Sequence, residues 1–150
     1  MFIQHELQCD KLRPVQDVST RWNSTFYMIE RLLQIKRSVT LFCAETDGMQ
    51  NKTLTSNMWN LLASVKGLLE PVENLTKDLS SYDAFLSLVI PAVLGLGLAL
   101  QSDNRDSGLI TMKSGLTDAV RERFEPLLTN TVATAATALD PRYKLTFFPD

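Results

Sequence analysis

The sequence predicts an all-α fold, a single helical bundle of four or five helices, and three observations lead there. Apolar residues recur at spacings of three and four along most of the 150 residues, the period of a helix with one buried stripe. Alternating apolar and polar runs, the mark of half-buried strands, are scarce. Cap and stop residues punctuate the periodic stretches where helices should begin and end. With 45% hydrophobic residues, the chain can bury roughly two thirds of its unfolded surface in one core. The expected organisation is an extended amino-terminal segment over residues 1–19 and one helical domain over residues 20–150.

The first helix is read from Trp22, Phe26, Ile29 and Leu33, which share one stripe, and should run to about Phe42. Thr20 or Ser19 supplies its N-cap, and Asp47-Gly48 its stop. Polar residues from Glu45 to Thr53 make a linker. A second helix opens with Thr55 or Ser56 as cap and follows Met58, Leu61, Leu62, Val65, Leu68, Leu69, Val72, Leu75 and Leu79. Pro71 removes one amide and crowds the Gly67 carbonyl, so this helix should kink or break there. Ser80-Ser81-Tyr82-Asp83 then caps a third helix over residues 84–100. That segment is almost wholly apolar, and it is read as buried on all sides. It falls short of the roughly 20 residues of a membrane span and carries a proline and two glycines, so no membrane role is assigned.

The polar stretch Gln101 to Ser107 is a loop, and a fourth helix carries Leu109, Met112, Leu116, Ala119, Val120 and Phe124 to an end near Pro126. Residues 129–138 are small and partly β-branched, and strand, helix and extended chain all remain open for them. Asp140 followed by Pro141 is a start signal, N-cap then first helical position, so a short helix should begin there.

Composition narrows the function. Fifteen basic and 17 acidic residues give a net charge of -2, too little to draw the whole chain toward nucleic acid or an acidic membrane. Any DNA contact must be local. Residues 1–40 do hold six Lys/Arg (Lys11, Arg13, Arg21, Arg31, Lys36, Arg37) against four acids (Glu6, Asp10, Asp17, Glu30). Cys9 and Cys43 lack the spacing of a metal site and read as reduced thiols; His5 has no second imidazole beside it. No secretion signal is visible at the amino terminus, and a reducing, intracellular compartment fits. Asp17 and Asp140 read as turn or cap residues, with no second carboxylate at ligand spacing. No phosphate loop or nucleophile motif is present, so neither a cofactor, a metal, a small-molecule substrate nor a catalytic residue is expected.

The most informative stretch is Asp17-Val18-Ser19-Thr20-Arg21-Trp22-Asn23-Ser24-Thr25, which sets a guanidinium, an indole and an amide side by side at a helix start. Arg21 can grip phosphate or a base edge, Trp22 can stack on an unpaired base, and Asn23 can bond to polar edges. These three are the candidate DNA-binding residues. Trp22 also shares the stripe of Phe26, Ile29 and Leu33, and that period favours core burial for it over stacking; Arg21 lies about a quarter turn away and should be exposed. Trp59, beside Leu62 and Leu69, reads as core. Arg142 reads as the ion-pair partner of Asp140 in preference to a phosphate contact.

Thr20-Arg21-Trp22-Asn23-Ser24-Thr25, then Trp59-Asn60-Leu61-Leu62 with Leu68 to Ser80, then Leu86-Ser87-Leu88-Val89-Ile90-Pro91, then Leu139-Asp140-Pro141-Arg142-Tyr143-Lys144 occur in that order across most of the chain. In this the chain resembles the helical insertion domain of hAT-superfamily transposases and their domesticated, BED-type zinc-finger relatives. The resemblance implies a helical insertion within a ribonuclease-H-like domain whose three catalytic carboxylates lie outside this chain, two before it and one after. It also implies that Trp22 stacks on a flipped base near a transposon end, with Arg21 holding the same DNA. The expected function is that of a non-catalytic fragment or domesticated remnant of such a transposase, nuclear, with weak and salt-sensitive DNA binding. Two alternatives stand beside it: a protein-interaction module using an exposed apolar face, and part of an active transposase.

Overall fold

A computed structural model describes residues 11–102 and 108–148, with the side chains of Trp22 and Ser102 outside the description. The readings of His5, Cys9 and most of the Gln101 to Ser107 loop lie outside the described residues. Among the described residues the secondary structure is helical: α1 Trp22–Gln34, α2 Lys36–Glu45, α3 Ser56–Leu79, α4 Leu86–Ser102, α5 Ile110–Leu128 and α6 Thr131–Leu139, with one 3-10 turn at Gln50–Lys52. The class is all-α as expected, with six helices in place of four or five. The chain divides into two compact units, Met1–Gly67 and Leu68–Asp150, in place of a single bundle, and the division falls within α3.

Three differences account for the helix count. The expected first helix is two, because Ile35 leaves the helical region at φ -98° and ψ 15°. Ile29 and Ile35 are both buried, yet six residues along one straight helix would set them about 120° apart around the axis. The change of direction at Ile35 lets both face inward. The undecided residues 129–138 form α6, whose Asn130 side chain accepts the Val132 and Ala133 amides at 3.0 and 3.1 Å. Its threonines turn their hydroxyls back onto carbonyls one turn earlier, Thr134 to Asn130 and Thr137 to Ala133, both at 3.0 Å. That bond is how a β-branched residue is accommodated in a helix. The short helix expected from Asp140 is only a run of turns, since Lys144 adopts a left-handed φ of 51°.

Cap assignments shift as well. A tight turn closes with the Arg21 amide donating to the Val18 carbonyl at 2.8 Å. That moves the start of α1 one residue past Thr20, so Arg21 occupies the N-cap position without a side-chain cap bond. Thr55 caps α3 as expected, accepting the Met58 amide at 3.3 Å. Pro71 lies inside α3, which is one unbroken helix across it. Ser80 and Ser81 finish α3 instead of opening α4: the Ser80 amide donates to Thr76, and the Ser81 hydroxyl to Asp78 at 3.0 Å. α5 passes Pro126 and ends at Leu128.

In the first unit Phe26, Ile29, Ile35 and Trp59 are buried, so the core reading of Trp59 holds. In the second unit Leu75, Leu96 and Leu100 form a cluster packed by Leu68, Val72, Leu79, Ala92, Leu116 and Val120. α4 is buried on one face only. Ile90, Val93, Leu96 and Leu100 are 1–8% exposed, while Leu98 is 69% exposed, which corrects the expectation of burial on all sides. No described helix is long and apolar enough to cross a membrane.

Candidate nucleic-acid interface

The start of α1 is held by one carboxylate and one hydroxyl. Ser24, in the first turn and only 9% exposed, accepts the Val18 amide at 2.8 Å and donates to Asp17 Oδ1 at 2.5 Å. The Thr25 hydroxyl donates to the same carboxylate oxygen at 3.0 Å. Those bonds, Ser24 first and Thr25 second, hold the Asp17 carboxyl below its ordinary range by favouring its charged form. Residues 17–21 are thereby clasped onto the helix they precede. Farther back, Arg31 Nη1 donates to the Arg13 carbonyl at 2.9 Å. With Asp17 tied to Ser24 and Arg13 to Arg31, the extended segment runs back along α1.

Arg21 is exposed on this clasp and Asn23 is half-exposed in the first turn. Trp22 opens the helix, but its side chain lies outside the described residues, and so does the choice between stacking and core for it. The backbone brings the three candidate residues together by succession. Of the six cations counted in residues 1–40, Arg31 is engaged with Arg13 and Gln34, and the Lys36 ammonium sits over the Trp59 ring at 5.4 Å. Ser24 was not singled out from the sequence, although it stands in the same nonapeptide; its signal is a small hydroxyl in a first turn.

The last two blocks of the resemblance meet in the second unit. Asp140 takes Arg142 in a two-point ion pair, Nε to Oδ1 at 3.0 Å and Nη2 to Oδ2 at 2.7 Å, and accepts the buried Ser87 hydroxyl at 2.6 Å. Arg142 first and Ser87 next hold the Asp140 carboxyl far below its ordinary range. The guanidinium lies over the rings of Phe85 and Tyr143 at 5.9 and 5.1 Å. The pairing read from sequence for Asp140 and Arg142 is present, and the Ser87–Asp140 hydrogen bond beside it ties the end of α6 to the start of α4. Among the described residues no three His, Cys, Asp or Glu side chains gather as a metal site.

Charge separates between the units. Met1–Gly67 holds eight Lys/Arg against six Asp/Glu, and Leu68–Asp150 seven against eleven. The surplus of cations therefore belongs to the unit that carries Arg21.

Residues 2–68 match the family model described as the ZBED1 RNase-like helical domain. The chain is 30% identical over 149 residues to human zinc finger BED domain-containing protein 4, an alignment covering 99% of this chain and 13% of that protein. It is 33% identical to human zinc finger BED domain-containing protein 6 and 31% identical to the mouse protein of that name, in each case over 97% of this chain and 15% of the relative. The chain thus spans about one seventh of the length of these relatives. No solved structure matches it. With the helical fold, the family model and these relatives in agreement, the chain is similar to a helical, transposase-like segment of the hAT-derived, BED-zinc-finger-type proteins.

Proposed function

We propose that this segment helps to position DNA and does not itself cut it, acting in the nucleus through Arg21, Trp22 and Asn23. The observation that carries the reading is the clasp of Asp17, Ser24 and Thr25, which holds Arg21 exposed at the first turn of α1. A residue whose backbone is fixed before its ligand arrives loses less entropy on binding. The relatives are named as zinc-finger proteins, and such fingers are a nucleic-acid-recognition module, which supports a DNA partner and a nuclear setting. Non-catalysis is supported by the engagement of the two carboxylates weighed as ligands, Asp17 with two hydroxyls and Asp140 with Arg142 and Ser87.

The test is binding to hairpin DNA with unpaired bases, measured across salt concentrations. Arg21→Ala should weaken binding similarly for all sequences and lower the salt slope by about 1. Trp22→Ala should cost about 1–3 kcal/mol on DNA with unpaired bases. Wild type that fails to bind at low salt would sink the reading, and strand scission with magnesium or manganese would remove its non-catalytic half.

A second reading, a protein-interaction module, is favoured by a groove of about 880 Å³ in the second unit. Leu94, Leu98, Phe124, Leu128 and Phe147 are among its apolar lining residues, with Arg121 and Glu125 also on its walls. An exposed apolar face of this kind is typical of contact surfaces.

A further inference from the structure

Where α1 gives way to α2, Leu33, Gln34, Lys36, Arg37, Leu41 and Ala44 line an open groove of about 650 Å³ within the first unit. Three of its polar side chains present donors. Lys36 and Arg37 are exposed and carry donors only. The Gln34 side-chain oxygen accepts from Arg31 Nε at 3.0 Å, so the group Gln34 has to offer is its amide nitrogen. Thr40, also on the lining, gives its proton to the Lys36 carbonyl at 2.9 Å. Neither Asp nor Glu lines the groove, and its remaining surface is aliphatic.

Helix stability does not account for this arrangement. Lys36 and Arg37 occupy the first turn of α2, which holds no acidic residue, and cations there oppose the helix dipole. The Lys36 ammonium is also held in place over the Trp59 ring, so one of the two cations is positioned before any ligand arrives.

We infer that this groove is a second DNA contact, taking the sugar-phosphate backbone with its phosphates on Lys36 and Arg37. Charge complementarity selects the occupant: an acid-free set of donors matches the acceptor oxygens of phosphate, and the aliphatic surface of Leu33, Leu41 and Ala44 suits deoxyribose. The inference rests on the DNA-positioning reading of Arg21 and extends it. α1 has 13 residues, about 20 Å of rise, and separates Arg21 at one end from the groove at the other. That separation equals about six phosphates along one B-form strand, so one duplex can reach both contacts only when it is longer than that.

The experiment compares hairpin duplexes of about four and about twelve base pairs, by fluorescence anisotropy over a range of salt. The proteins are wild type, Arg21→Ala, Lys36→Ala/Arg37→Ala, Arg37→Ala alone, and Arg123→Ala as an exposed charge control in the second unit. Thermal melting by circular dichroism checks that each folds, and Arg37→Ala leaves the Lys36 contact with Trp59 in place. On the long duplex the double variant should bind about tenfold more weakly, with a salt slope lower by about 2, and Arg37→Ala should lower it by about 1. On the short duplex, where the two contacts cannot act together, the same substitutions should cost less than about threefold.

The groove inference is overturned if the double variant binds the long duplex as wild type does, if Arg123→Ala costs as much, or if a glutamate-rich peptide binds wild type more tightly than DNA. Loss in Arg21→Ala alone would leave the positioning reading standing without the groove. Loss in the double variant alone would keep the groove and remove Arg21. Absence of any wild-type binding at low salt would end both.

Discussion

At the first turn of α1 the Ser24 hydroxyl accepts from Val18 and donates to Asp17, and no water reaches much of that residue, which is 9% exposed. Removing the hydroxyl takes away the acceptor of the Val18 amide and leaves Asp17 with the Thr25 hydroxyl as its remaining side-chain donor. Ser24→Ala should therefore cost about 1–2 kcal/mol in urea denaturation, and a smaller effect than that of an average surface substitution would show the clasp to be idle. At the other latch, Asp140 meets Ser87 and Arg142 with its carboxyl depressed. A carboxyl lowered on folding contributes stability that is complete above its unfolded pKa, about 3.9, and is lost as pH falls through the folded value. The gap in denaturation midpoint between wild type and Asp140→Asn should accordingly stay level from pH 8 to about 5 and shrink below about 4. A gap that grew in acid would contradict the latch. The Asp140–Arg142 pair was legible in the sequence because the partners are two residues apart. Ser87, 53 residues away from Asp140, was not, since nothing local marks which hydroxyl a distant carboxylate will find.

α4 shows the same limit for an element. Nearly every residue from Ala84 to Leu100 is apolar, so the sequence has no polar stripe to say which side faces water, and periodicity carries no information there. Packing decides: Leu100 is 2% exposed and in the core cluster, whereas Leu98, two residues earlier, is 69% exposed. Leu100→Ala should destabilise by about 2–5 kcal/mol. Leu98→Glu should change stability by no more than about 0.5 kcal/mol. It should also abolish hydrophobic-dye binding if the groove it lines is the contact surface of the second reading. Unchanged dye uptake would turn attention away from that groove. In α6 the competing signals were of similar size, alanines favouring helix and threonines disfavouring it. The deciding groups were Asn130 as cap and Thr137, which is fully buried with its hydroxyl 3.2 Å from the Ser87 carbonyl.

For the molecule as a whole, the overall charge of -2 conceals an unequal division, a cationic surplus before Gly67 and an anionic one after it. DNA contact is proposed for the first unit because Arg21, Lys36 and Arg37 all lie there, and the apolar groove of the second unit suits a different partner. The sequence by itself determined the helical class, the Thr55 cap of α3, the pairing of Asp140 with Arg142, the burial of Trp59, and the family resemblance, since each depends on spacing within a few residues or on ordered short motifs. Only the tertiary structure decided the turn at Ile35, the exposed side of α4, the clasp of Ser24 on Asp17 and the meeting of Ser87 with Asp140. Those features depend on which distant groups satisfy one another once the chain is packed, and local spacing does not encode that choice.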